Sequence, residues 1–289
     1  GAGAVSAAVV ALAADLTRES VRTKAMAAIG MTIGAAFAIS LVAGPVLAGV
    51  IGVPGLFVLT GALAIGAVVV VRRAVPEPSI HAAPPVDGEP RGHVLFDPQL
   101  FRLNVGIFAL HAILMAMFVQ VPFALRDGGL EPARHWIVYL PVLLASVVVV
   151  LPLLRNADRR GRGRIVLSAS IVALAASLAI LLTAGHSVSG IAAGLLVFFA
   201  AFNLLEASLP ALVSRFAPPA ARGTALGVFS TAQFLGTFAG AAAGGFLLKY
   251  HGPAAVYGFG IGCAAVWLVA GATMAEPPAT QSSLSMGRT

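Results

Sequence analysis

The sequence predicts an all-α polytopic membrane protein, on three observations: long apolar runs, a scarcity of charge, and basic residues gathered in alternate loops. Of 289 residues, 59% are apolar and 10% charged, and the mean hydropathy is +0.96. A soluble domain carries about 25% charged residues, so this chain has too little polar surface to cover itself in water. That excludes a soluble enzyme, a nucleic-acid-binding domain and a disordered chain. The single cysteine, Cys263, lies in an apolar run, so neither a disulfide framework nor a cysteine-based metal site is expected.

A hydrocarbon core about 30 Å thick needs about 20 apolar residues of helix. Nine segments are read as spans: 1–14, 25–51, 55–71, 103–125, 136–154, 165–184, 188–213, 224–248 and 254–274. The first is short: as a helix it covers about 21 Å. The second stops at Gly52-Val53-Pro54-Gly55, a turn signal, and the third runs on to Arg72 and Arg73. Residues 72–102 are polar, rich in Pro and charge, and read as a cytoplasmic linker between two bundles. Residues 1–71 then form the remainder of an N-terminal bundle, 103–274 a six-helix C-terminal bundle, and 275–289 a cytoplasmic tail. Within the second bundle the breaks fall at Arg126 to His135, at the arginine cluster 155–164, at Gly185-His186-Ser187, at Arg215 to Arg222 and at Lys249 to Pro253. A membrane barrel would alternate apolar and polar residues in ten-residue pieces. These runs do not alternate.

Lys and Arg accumulate in loops that stay in the cytoplasm. One set of loops holds Arg18, Arg22 and Lys24; Arg72, Arg73, Arg91 and Arg102; Arg155, Arg159, Arg160, Arg162 and Arg164; Arg215 and Arg222; and Arg288. The opposite set holds Arg126, Arg134 and Lys249. This places the first residue outside and the C-terminus in the cytoplasm. The formal charge of +7 is therefore read as membrane orientation, and no nucleic-acid partner is expected.

An internal repeat organises the chain. Arg22-Thr23-Lys24-Ala25-Met26-Ala27 and Arg222-Gly223-Thr224-Ala225-Leu226-Gly227 each open a glycine-rich helix at a cytoplasmic loop, 200 residues apart. Gly30 and Gly34 follow in one copy, and Gly236, Gly240 and Gly244 in the other. Six spans separate the copies, which gives them the same orientation, as in transporters built from parallel halves. The helices at 25–51 and 224–248 are expected to be pseudo-equivalent.

At this point the chain resembles the major facilitator superfamily. Ala43-Gly44-Pro45-Val46-Leu47-Ala48-Gly49 is similar to the "GP" motif of that family's fifth helix, a register that makes the nine spans helices 4 to 12. Asp15-Leu16-Thr17-Arg18-Glu19 with the stretch from Arg22, Ala201-Phe202-Asn203-Leu204-Leu205-Glu206-Ala207-Ser208-Leu209-Pro210, and the stretch from Gly223 to Gly236 are similar to the YajR-type subgroup of bacterial inner-membrane transporters. The resemblance implies a chain without helices 1 to 3 and without that subgroup's soluble C-terminal domain, and a fragment inactive on its own.

Ionisable groups inside the membrane cost about 2.5–3.5 kcal/mol each on insertion scales, so each calls for a partner or a function. Glu206 lies nine residues before Arg215, about 13 Å from the cytoplasmic helix end. Asn203 and Pro210 share its face. Glu206 is the candidate reversible proton carrier; the alternative is a structural carboxyl bonded between helices. His111 lies at a similar depth, with Asn104 on its face and Gln120 roughly opposite. The resemblance implies that the two helices carrying His111 and Glu206 both line the central cavity, where the pair could exchange a proton. No second His or Cys sits at ligand spacing, so no metal is expected.

Ser230, Gln233 and Thr237 form a polar stripe at i, i+3 and i+7, read either as interhelical glue or, with Asn104 and Asn203, as cavity lining. Gly44 and Pro45 interrupt the helical ladder and allow a bend, while Gly49 lets another backbone come close. The resemblance implies that these three form a seal that limits leak in exporters. It also implies a cytoplasmic charge latch at Asp15, Arg18 and Arg22, with a second-half copy at Asp158, Arg159 and Arg162; a simple positive-inside cluster explains the latter nearly as well.

The expectation is a secondary active transporter of the bacterial inner membrane, working by proton-coupled efflux of small amphipathic compounds through alternating access. Its partners are a small-molecule substrate and the lipid bilayer, it is a monomer, and it needs no cofactor beyond the proton. The alternatives are a metabolite or sugar importer of the same family and a non-transporting receptor or scaffold. A membrane-embedded enzyme would need paired acids, an activated nucleophile or a metal cluster, and the membrane interior offers one carboxylate and one histidine.

Overall fold

The computed structural model describes residue 9 and residues 19–75, 97–159, 163–218 and 221–274. These are helical almost throughout: α1 (Glu19–Ala74), α2 (Pro98–Asp127), a 3-10 turn (Pro132–Arg134), α3 (Trp136–Arg159), α4 (Gly163–Ala184), α5 (Val188–Phe216), α6 (Arg222–His251) and α7 (Pro253–Ala272). Among the described residues, seven helices are long and apolar enough to cross a membrane. The segment 1–14 lies outside the described residues apart from residue 9, as do most of the linker and the tail. The nine-span count therefore reduces here to seven elements, of which α1 contains two of the expected spans.

Gly52 divides α1. Its φ of 70° and ψ of 171° are non-helical, a conformation essentially reserved for glycine. The spans 25–51 and 55–71 are the two stretches on either side of it. Pro54 follows the break, where a missing N–H costs nothing at the start of a new helix. Gly252 repeats this device: with φ 81° and ψ −179° it separates α6 from α7, and Pro253 follows directly. Gly52 and Gly252 stand 200 residues apart, the same offset as Arg22 and Arg222. The bend expected at Gly44-Pro45 is not a break, because the non-helical dihedrals sit at Gly52 and the helix runs on through Pro45. One missing N–H is tolerated when the ladder continues on both sides; a glycine with positive φ redirects the chain outright.

The second bundle begins earlier than 103. Asp97 caps α2 by accepting hydrogen bonds from the backbone N–H groups of Gln99 and Leu100 at 2.8 and 2.9 Å, and Pro98 occupies the first turn. Helix α5 starts in the same way, with Ser187 Oγ accepting from Gly190 N–H at 3.2 Å.

Helix α2 is the axis of the bundle. It packs most extensively on α6 and also against α7 and α5, while α4 bridges α5 and α7, and α3 lies on α5. Leu103, Ile107, Leu110, Ile113 and Met117 of α2 are buried among Leu174 and Leu178 of α4, Phe198 and Phe199 of α5 and Trp267 of α7. The outward faces stay apolar, as at Val148, Phe238 and Val269, which suits lipid as the surrounding solvent. The contacts of α1 are made with α3 and the 3-10 turn, and its apolar residues from Val53 to Val71 are largely exposed.

The α2–α6 contact is backbone on backbone. A Cβ placed on Gly236 or Gly240 would run into the carbonyl oxygens of Phe108 and Ala112, and one on Gly244 would stand 2.7 Å from the Cα of Ala116. Small residues at this spacing let two helices approach without side chains between them. At the end of the bundle where α2 and α4 begin, Arg102 Nε donates to Thr273 Oγ1 at 3.1 Å, and Arg164 donates to the carbonyl oxygen of Ala272. Both guanidinium groups thus sit at the C-terminal end of α7, where helix dipoles favour positive charge.

Candidate functional site: a polar cluster between three helices

The close approach of α2 and α6 brings Gln233 beside His111. Gln233 lies one turn before Gly236, and His111 directly precedes Ala112, which faces Gly240. Gln233 Nε2 is 2.9 Å from His111 Nε2 and 3.2 Å from Glu206 Oε1. It therefore bridges α2, α5 and α6. The Nδ1 of His111 is 3.3 Å from the carbonyl oxygen of Ile107, one turn back on its own helix. The edge of the imidazole meets the Phe202 ring, with centroids 5.6 Å apart and planes at 62°. Phe202 and Glu206 are one turn apart on α5, so the aromatic ring screens one side of the acid–base pair.

Asn203, three residues before Glu206, ties α5 to a fourth helix. Its Nδ2 donates to Ser146 Oγ of α3 at 3.0 Å, and Ser146 in turn donates to the carbonyl oxygen of Leu143 at 2.7 Å. The result is two polar groups in an otherwise apolar interior, Ser146 with Asn203 and Glu206 with Gln233 and His111, with Asn203 and Glu206 three positions apart on α5. In the second group Glu206 Oε2 is buried without a hydrogen-bond partner among the described residues and lies 3.9 Å from His111 Nε2.

The structure thus gathers His111, Glu206, Asn203 and Gln233, and leaves other candidates aside. Thr237 Oγ1 donates to the carbonyl oxygen of Gln233 at 3.1 Å, so its hydroxyl is engaged within α6. Asn104 and Ser230 are half-buried and form no hydrogen bond to the chain among the described residues. Around Gly44 and Gly49 nothing among the described residues comes within 4 Å of where a Cβ would stand, so the close helix approach expected at Gly49 is not formed there. Of the latch residues, Asp15, Arg18 and Arg162 lie outside the described residues. Arg22 falls near the start of α1, and Asp158 and Arg159 in the last turn of α3, on helical backbone.

Sequence reasoning missed Ser146 altogether and gave Gln233 a peripheral place. The signal for Ser146 was a lone hydroxyl within a Val/Leu run, which in lipid calls for a partner. Chemically, the cluster offers a carboxyl with one open oxygen, an imidazole, and an amide that holds the two apart. That combination can bind and release a proton inside an apolar bundle.

Comparison with known proteins is consistent over nearly the whole chain. The model of the Major Facilitator Superfamily matches residues 1–149 and 129–288. The inner membrane transport protein YajR of Escherichia coli (strain K12) is 39% identical over 285 residues, which cover 98% of this chain and 63% of that protein. An uncharacterized transporter of Buchnera aphidicola subsp. Acyrthosiphon pisum is 29% identical over 249 residues, covering 83% of this chain and 63% of the relative. One from Buchnera aphidicola subsp. Baizongia pistaciae is 27% identical over 257 residues, covering 86% and 65%. The chain spans just under two thirds of the length of these relatives.

Proposed function

The chain belongs to the major facilitator superfamily, and from that premise we propose that it serves a secondary active transporter of the bacterial inner membrane, which exports small amphipathic compounds in exchange for protons by alternating access. The observation that carries the proton coupling is Glu206: a carboxyl inside the apolar bundle, bonded through Gln233 to His111 and with Oε2 unpartnered among the described residues. An ionised acid at this depth is costly unless partnered or hydrated, so its charge state weighs on how α5 sits against α2 and α6. Protonation removes the charge and the cost together. If the carboxyl meets one side of the membrane in one arrangement of the bundles and the other side in the second, proton flow drives the alternation.

The name of the Escherichia coli relative supports an inner-membrane location, and the basic loops support a cytoplasmic C-terminus. The Gly44-Pro45 motif supports export. The aromatic and aliphatic surroundings of Glu206 support a small amphipathic substrate, and we read the working unit as a monomer with no cofactor beyond the proton.

The test uses the full-length protein with Glu206→Gln, which keeps the shape and fixes the neutral state. In inverted vesicles with ethidium as the amphipathic probe, proton-driven ethidium movement should fall at least about 100-fold, the lower end of what a positioned proton-transfer group contributes, while ethidium binding persists. Transport at the parent rate with an unchanged pH profile makes Glu206 structural and removes the proposal.

A further inference from the structure

The hydrogen bonds around Gln233 dictate where protons already are. An amide nitrogen only donates, so His111 Nε2, 2.9 Å from Gln233 Nε2, must present a lone pair. The Ile107 carbonyl only accepts, so His111 Nδ1, 3.3 Å away, carries the hydrogen. With the Gln233 amide nitrogen on the His111 side, this arrangement calls for a neutral His111 in its Nδ1–H tautomer. The second amide hydrogen of Gln233 goes to Glu206 Oε1 at 3.2 Å. Both hydrogens are committed, and Glu206 Oε2, which accepts no hydrogen bond among the described residues, can gain a proton without a bond being broken.

We propose that Gln233 is a positioning residue that keeps His111 and Glu206 from closing into a direct ion pair, and thereby assigns the exchanged proton to Glu206 Oε2. This rests on the proton-coupling role of Glu206 and adds the device that makes it reversible. When the bundles open this site to water, a hydronium proton bonds to a lone pair of Oε2 and leaves water behind, the carboxylate becomes neutral, and release reverses the step; the bonds of Gln233 are unchanged throughout. The competing step puts the proton on His111 Nε2. That breaks the bond from Gln233 and sets one N–H against another. With the amide removed, the imidazolium closes the 3.9 Å to Oε2, and the two charges hold each other in place.

The neighbours leave this trio to itself. Phe202 and Glu206 of α5 and Gln233 of α6 face His111, and Ser146 of α3 bonds to Asn203, three residues before Glu206 on α5. Helix α7 contains no Asp, Glu, Lys, Arg or His, the only such residue of α4 is Arg164 at its start, and α1 and α3 carry theirs at their ends.

The experiment is nitrogen NMR of the full chain in lipid nanodiscs with labelled histidine, His111 being assigned by the signals lost in His111→Gln. At neutral pH the parent should show His111 as the Nδ1–H tautomer. Gln233→Met keeps side-chain length and removes both donors; it should convert His111 to imidazolium at the same pH, and adding Glu206→Gln should restore the neutral form. Transport by Gln233→Met should lose its parental pH profile. An Nε2–H tautomer or an imidazolium in the parent overturns the proposal without any variant, as does a His111 that stays neutral in Gln233→Met. These readings do not depend on transport. Normal coupling in Glu206→Gln with the predicted tautomer intact would instead remove the proton-coupling role and leave the bonding of Gln233 standing.

Discussion

His111 Nε2 and Glu206 Oε2 stand 3.9 Å apart with no hydrogen bond between them, because Gln233 Nε2 occupies the position from which it reaches both residues. An acid and a base this close in lipid would ordinarily pair. The spacing depends on α2, α5 and α6 together, so substitutions that shift any of these helices should be felt at the pair.

Ser146→Ala removes the acceptor of Asn203 Nδ2. The bond joins α3 to α5, and hydrogen bonds between membrane helices contribute about 0.6 kcal/mol on average and up to about 1.7. Thermal unfolding in detergent should show a loss in that range, with the pH dependence of transport retained because Glu206 keeps its own partner. A shifted pH profile would mean that Asn203 orients Glu206 directly.

Gly240 and Gly245 lie five positions apart in α6 and differ in what faces them. A Cβ on Gly240 meets the backbone of Ala112, whereas one on Gly245 meets nothing within 4 Å. Gly240→Ala should cost about 1–3 kcal/mol, as forced overpacking does, and should weaken the Gln233–His111 contact. Gly245→Ala should be neutral in the same unfolding measurement. Equal effects would mean that α2 and α6 are not in backbone contact.

The distribution of basic residues predicts orientation at single positions. In a Cys263→Ser background, a cysteine replacing His186, exposed between α4 and α5, should react with a membrane-impermeant thiol reagent added from outside. A cysteine replacing Gly161 should not. Labelling at 161 from outside reverses the topology.

The helices were legible in the sequence because lipid imposes a simple rule, and the apolar runs coincide with α3 to α7 to within a few residues at each end. The start of α2 was missed because its first turn is built from Asp97 and Pro98, which read as linker by composition and as a cap only when hydrogen bonds are traced. His111 and Glu206 stood out because charge is rare in these runs. Ser146 did not, and Gln233 was visible only as one member of a polar stripe, since which face of α6 meets α2, and which of α3 meets α5, depends on packing partners that no single helix encodes. The glycines at 236, 240 and 244 were visible as a repeat, but their target on α2 was not.

That row of glycines also bears on permeability. Where the α6 backbone lies on the carbonyl oxygens and Cα atoms of Phe108, Ala112 and Ala116, no side chains stand apart to leave a gap that water could file through. The seam runs beside a group proposed to trade protons, and an open file of water there would let a gradient dissipate without work. Three positions without a Cβ hold the two backbones in contact along that flank, and even alanine there would lever the helices apart.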